Sequence, residues 1–185
     1  MTQQSLLSSP SITNLDASPP SYTLNTTGEH APGFLQFVGD WVTCLNGDDN
    51  TSIYRMVRIP TTAKVKKVRL LSDVATAGSA DIEVAYSDST TDGTVQANLG
   101  AIVQVSAADN KLFASAFSLV AAEGTNEEPL DVTWLNTFTP AMSCQPLWAA
   151  LGLSVDPGGM FDIIIRVTTG VTTGSILYLS CEYVV

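Results

Sequence analysis

Residues 161–185 read Phe-Asp-Ile-Ile-Ile-Arg-Val-Thr-Thr-Gly-Val-Thr-Thr-Gly-Ser-Ile-Leu-Tyr-Leu-Ser-Cys-Glu-Tyr-Val-Val, and they decide the fold. Phe161, Ile163, Ile165 and Val167 alternate with Asp162 and Arg166. Leu177, Leu179, Cys181, Tyr183 and Val185 then alternate with Tyr178, Ser180 and Glu182. A repeat of two is the side-chain period of a β-strand, with one face buried and one wet in an antiparallel sheet.

The same text recurs upstream. Ile82, Val84 and Tyr86 face one way, Asp81 and Glu83 the other. Further strands are predicted from Lys64 to Leu71, from Ile53 to Ile59 closed by Pro60, and from Ala101 to Val105. In the stretch from Phe34, Leu35, Phe37 and Trp41 share one face, broken at Gly39, with Val38 and Val42 on the other. Leu130 to Leu135 reads as β-rich. The tracts Asn46–Asn50, Ser87–Gly93 and Asp156–Gly159 carry turn chemistry.

Helix is sparse. Ser106 to Asp109 resembles a capping start, and Leu112, Phe113, Ala116 and Phe117 follow at helical spacing. Pro146 to Leu151 reads as one short helical turn. About eight strands, one or two short helices and no βαβ alternation make the expected fold mainly β: an antiparallel β-sandwich, jelly-roll-like.

Composition narrows the function. The 185 residues are 45% hydrophobic and only 14% charged, which suits a packed core and not a disordered chain. No apolar run is long enough for a membrane-spanning helix, and the start shows no secretory signal, so synthesis in a cytoplasm is expected. A net charge of −10 opposes direct binding to phosphate backbones. Cys44, Cys144 and Cys181 are too scattered for a disulfide framework or zinc site, and Cys181 reads as a buried free thiol. With a single histidine, His30, and neither a G-x-S-x-G elbow nor a phosphate loop, no enzyme, cofactor or metal is expected. Asp48, Asp49 and Asn50 are a weak loop-metal candidate, and Asp88–Gly93 lacks the closing carboxylate of a calcium loop.

Two features are candidates for partner binding. Residues 1–33 form a Ser/Thr/Pro-rich segment distinct from the domain at 34–185. It reads either as a disordered terminus or as an extended arm ordered on a neighbouring subunit, burying Tyr22 and Leu24. Six of the eight basic residues, Arg55, Arg58, Lys64, Lys66, Lys67 and Arg69, fall between positions 53 and 71 with no acid among them. That run is either a solvated face or lysine-guarded edge strand, or a positive patch that docks on an acidic partner.

Several stretches together resemble the small cement or decoration proteins of tailed-bacteriophage heads. They are Met56-Val57-Arg58-Ile59-Pro60, Val68-Arg69-Leu70-Leu71-Ser72-Asp73, Ala80 to Tyr86, Lys111 to Ala116, Gln145 to Leu153, and Asp156 to Ile163 with the last strand. The resemblance covers about residues 53–185. It implies a jelly-roll-like domain on the capsid surface of a virion, assembled in the host cytoplasm. There it would bridge copies of the major capsid protein, act as a small homo-oligomer and brace the shell. The rival expectation is a tail-fibre or spike domain that binds a host glycan or receptor. Trp41, Trp134 and Trp148 are its available aromatics, although all three read as core or subunit-interface anchors.

Overall fold

The computed structural model describes residues 7–8, 34–45, 52–72, 78–86, 111–119 and 129–185. Nine strands are defined among them: β1 (Leu7–Ser8), β2 (Leu35–Thr43), β3 (Ile53–Pro60), β4 (Lys64–Ser72), β5 (Ser79–Tyr86), β6 (Ala114–Ser118), β7 (Leu130–Asp131), β8 (Met160–Thr169) and β9 (Ile176–Val184). One sheet runs β1-β3-β8-β5-β6 and the other β2-β9-β4-β7. Apart from β1, which runs parallel to β3, every pairing is antiparallel. From β2 onward this is the strand order of a jelly roll, an antiparallel β-sandwich of two four-stranded sheets.

The alternating stretches at residues 161–185 supply the centre of both sheets. β8 lies between β3 and β5, and β9 between β2 and β4. Phe161, Ile163, Ile165 and Val167 point inward and are fully buried, as are Leu177, Leu179, Cys181 and Tyr183. Opposite them on β5 and β3 stand Ile82, Val84, Tyr54 and Ile59. Burying each large apolar side chain is worth about 1.5–3 kcal/mol, so this interlayer core is the main source of stability. Tyr86 and Phe161 close one end with their rings 5.4 Å apart.

A one-turn helix, α1 (Leu147–Ala150), forms where the short helical turn was expected. Its start is tied to the β3–β4 turn, since Leu147 N–H donates to the Ala63 carbonyl at 2.8 Å and Trp148 N–H to Thr61 at 3.2 Å. The Asp156–Gly159 turn also forms: the Asp156 carboxylate accepts from Gly158 N–H at 2.9 Å, and both glycines adopt positive φ.

Three expectations are corrected. The helical spacing at Leu112–Phe117 does not give a helix. Ala114–Ser118 is strand β6, kinked at Ala116 (φ 47°), whose N–H donates to the Asp81 carboxylate at 2.7 Å. Pairing with β5 and burial of Leu112, Phe113 and Ala114 outweigh a weak local pattern. The β-rich stretch at Leu130–Leu135 is a strand only at Leu130–Asp131, after which the chain turns. The third correction concerns the polar face of β5 and β8. Asp81, Glu83 and Asp162 are about 1% exposed, so that face is buried, not wet. The expected strand at Ala101–Val105 and the polar tracts at 46–50 and 87–93 lie outside the described residues, as does His30.

Candidate interaction surface

Two β-bulges decide where the basic run points. A register shift between Arg55 and Val57 in β3 turns Arg55 and Arg58, three residues apart, to the same outer face. Both are buried there, and both grip Asp162 on β8. Arg55 Nε donates to Oδ2 at 2.7 Å, and Arg58 Nε to Oδ1 at 2.7 Å with Nη2 to Oδ2 at 3.2 Å. Next to them Arg166 Nε donates to Glu83 at 3.0 Å, and Lys111 Nζ lies 2.7 Å from Asp81. Ile53, Ala85 and Ile164 fill the space between these ions. Burial pushes the Glu83 carboxyl above its ordinary value despite the pull of Arg166.

The second shift, between Val65 and Lys67 in β4, places Lys64, Lys67 and Arg69 in one row on the outer face of the other sheet. β9 flanks β4 along its whole length, whereas β7 pairs only with Arg69 and Leu70, so Lys64 and Lys67 lie on the part of β4 that β7 does not reach. Arg69 pairs with Glu182 at 2.9 Å and Lys67 with Asp131 at 3.5 Å. Burial opposes ionisation of Asp131, yet the Thr133 hydroxyl and N–H, with Lys67, hold its carboxyl below the usual range. Lys66 turns aside and donates to the Ser143 carbonyl at 2.7 Å. The six-residue basic run is thus divided: Arg55 and Arg58 are buried in ion pairs, Lys64, Lys67 and Arg69 share the outer face of the opposite sheet, and Lys66 is tied to the Ser143 carbonyl. Tyr22 and Leu24 lie outside the described residues. Part of the expected arm, Leu7–Ser8, pairs with Tyr54–Arg55 of the same chain.

Across β9 from the cationic row the surface changes character. β2 buries Gln36, Val38, Asp40 and Val42, and turns Leu35, Phe37, Gly39 and Trp41 outward. Leu35 is 62% exposed, Phe37 53% and Trp41 48%, with Phe34 beyond them at 69%. On the neighbouring strand Val184, Glu182, Tyr178 and Ile176 stand directly opposite Leu35, Phe37, Trp41 and Thr43, with Glu182 held by Arg69 of β4. Gly39 does not interrupt this band. A Cβ added there would collide with the Tyr178 hydroxyl, so the phenol tip lies over the glycine between Phe37 and Trp41.

The outer face of the β2-β9-β4-β7 sheet therefore grades from an uncharged aromatic row at β2 to paired ions that begin at Glu182 on β9 and continue on β4 and β7. An exposed contiguous apolar patch of this kind marks an interaction site more often than chance surface does. Sequence reasoning grouped Leu35, Phe37 and Trp41 on one face without separating covered from open. The available signal was mixed, with Leu35, Phe37 and Trp41 on one face and Gln36 and Asp40 interleaved with Val38 and Val42 on the other.

Elsewhere, Trp134 is 43% exposed and stacks on Phe138 at 5.4 Å. Cys44 and Cys181 are buried free thiols, the latter pushed far above its ordinary pKa by burial, and Cys144 is exposed. Among the described residues no group of three or more His, Cys, Asp or Glu side chains could hold a metal ion, and no helix is long and apolar enough to cross a membrane. A scan against protein-family models and searches of the curated proteins and of the solved structures return no match to this chain.

Proposed function

We propose that this protein is a structural assembly module of a phage virion that docks on the outside of the head shell and stabilises it by bridging copies of the major capsid protein. The observation that carries this reading is the open aromatic band of β2 with Tyr178 and Ile176 of β9, bordered by the ion pairs Arg69–Glu182 and Lys67–Asp131. Aromatic side chains at the centre of a contact and charged groups at its rim are the ordinary anatomy of a protein interface. Further support comes from the resemblance of residues 53–185 to head-decoration proteins and from the sandwich that carries the band on one strand of its four-stranded sheet. Repetition over a shell multiplies a modest free energy per contact, so each copy need not bind tightly alone.

Co-sedimentation with capsids assembled from the major capsid protein of the same genome tests this. Wild type is expected to pellet with the capsids, and the triple change Lys64→Glu, Lys67→Glu, Arg69→Glu to bind more weakly, most of all at low salt. If wild type stays in the supernatant and binds instead on a glycan array, the fibre reading takes its place. Trp134, exposed beside the Asp131–Thr133 turn, is the aromatic such a reading would use.

A further inference from the structure

We infer that the occupant of the Leu35–Phe37–Tyr178–Trp41 band is the same band of a second copy of this chain, the two sheets packing face to face about a two-fold axis. This rests on reading that face as a protein-docking surface, and it gives the band to a second copy, so that the dimer, through its remaining surface, is what meets the shell. Three observations select a second copy.

The first is area. Large aromatic side chains offer ~150–250 Å² each, and Leu35, Phe37, Trp41 and Ile176 are between 36% and 62% exposed. Together they present roughly 400 Å² of apolar surface per copy. Two copies bury about 800 Å² from the band, and the flanking rows bring the contact to the roughly 1,000 Å² that a specific interface needs.

The second observation is charge. The chain carries −10 overall, so most ways of bringing two copies together meet like-charge repulsion. The outward positions of β2 carry no ionisable group. On the adjoining row Lys64, Lys67 and Arg69 stand against Glu182 and Asp131, both signs on one face. An isologous contact needs this self-complementarity, because each patch meets its own copy. Homodimer interfaces are also the more apolar class.

The third observation separates face from edge. β2 is an outer strand, where a second copy could instead extend the sheet by backbone pairing. The Trp41 N–H is already taken by the Asp40 carboxylate at 2.8 Å, and Asp40 itself points inward. An inward acid and an occupied N–H blunt the edge against strand addition. The aromatic face is left as the route of contact, with aligned sheet packing as its geometry.

Sedimentation equilibrium of the full chain decides the matter. Wild type is expected at twice the 19.5 kDa chain mass in the micromolar range, with association undiminished by added salt. Phe37→Ser and Trp41→Ser, separately, should weaken association by about 100-fold or more, since a two-fold contact counts each loss twice. Far-ultraviolet dichroism reports whether each variant keeps its sheets. If one does not, Gly39→Ala, which displaces the Tyr178 tip, replaces it and is expected to weaken association in the same sense. A monomeric wild type overturns the inference, and so does a dimer that survives these changes in folded protein. Capsid co-sedimentation in parallel separates the two readings. A monomer that binds capsids through Phe37 and Trp41 keeps the docking function and removes the second copy. A dimer that ignores capsids does the reverse.

Discussion

The outer face of the β3-β8-β5 sheet and that of the β2-β9-β4 sheet invert the usual distribution of side chains. On the first, Arg55, Arg58, Asp81, Glu83 and Asp162 are at most 5% exposed, while on the second Leu35, Phe37 and Trp41 are about half exposed or more. Ions are inside and aromatics outside. The first face is part of the fold, because its charges persist out of water only by pairing with one another. The second is not needed by the fold, since nothing within the described chain covers it. What a sandwich hides on its outside is as informative as what it packs within.

The sharpest way to break this comparison is Asp162→Ala. It strips the shared carboxylate from Arg55 and Arg58 and leaves buried cations behind, a change that typically costs about 3–5 kcal/mol. Urea unfolding should show a loss of that order. A loss under about 1 kcal/mol would mean that this face is hydrated and that the contrast with the other sheet is false.

A smaller effect is expected from Glu83→Gln. The folded-state pKa of Glu83 is raised, so its contribution to stability is fully present below its ordinary value of 4.5 and is lost as pH rises through the folded value. Between pH 4 and 7, wild type should therefore lose stability relative to the glutamine variant, read as the difference in urea midpoints. The opposite trend would show that Arg166, and not burial, dominates at this carboxyl. The smallest effect belongs to the other face. Phe37→Ser, measured at a concentration where the chain is monomeric, should change unfolding free energy by no more than about 0.5 kcal/mol. A loss of 2 kcal/mol or more would place Phe37 in the core and erase the distinction.

Period-two patterning at 161–167 and 177–185 located β8 and β9, and Pro60 marked the end of β3, because these signals are local. The assignment of faces was not local. Arg55 and Arg58 share a face only through the Arg55/Val57 shift, and Lys64, Lys67 and Arg69 only through the Val65/Lys67 shift. One extra residue in a strand reverses every inside–outside inference beyond it. Burial of Asp81 and Glu83 depends on Lys111 and Arg166, which lie 30 and 83 positions away in the chain. The helical spacing at 112–117 failed for a related reason, since the partner of that segment, β5, lies far upstream. For β2 the pattern offered apolar residues on both faces, with Gln36 and Asp40 on the one that turns inward, and which face meets water is a property of the assembled sheets.

The central places of β8 and β9 carry a consequence for biosynthesis. Without them the described ladders reduce to β1 with β3, β4 with β7 and β5 with β6, so neither sheet exists until residues 160–184 have left the ribosome. Contacts this distant in sequence close slowly, and until then the earlier strands offer bare edges to any neighbouring nascent chain. Yield from cells should therefore fall with faster translation and higher temperature even where the finished sandwich is robust.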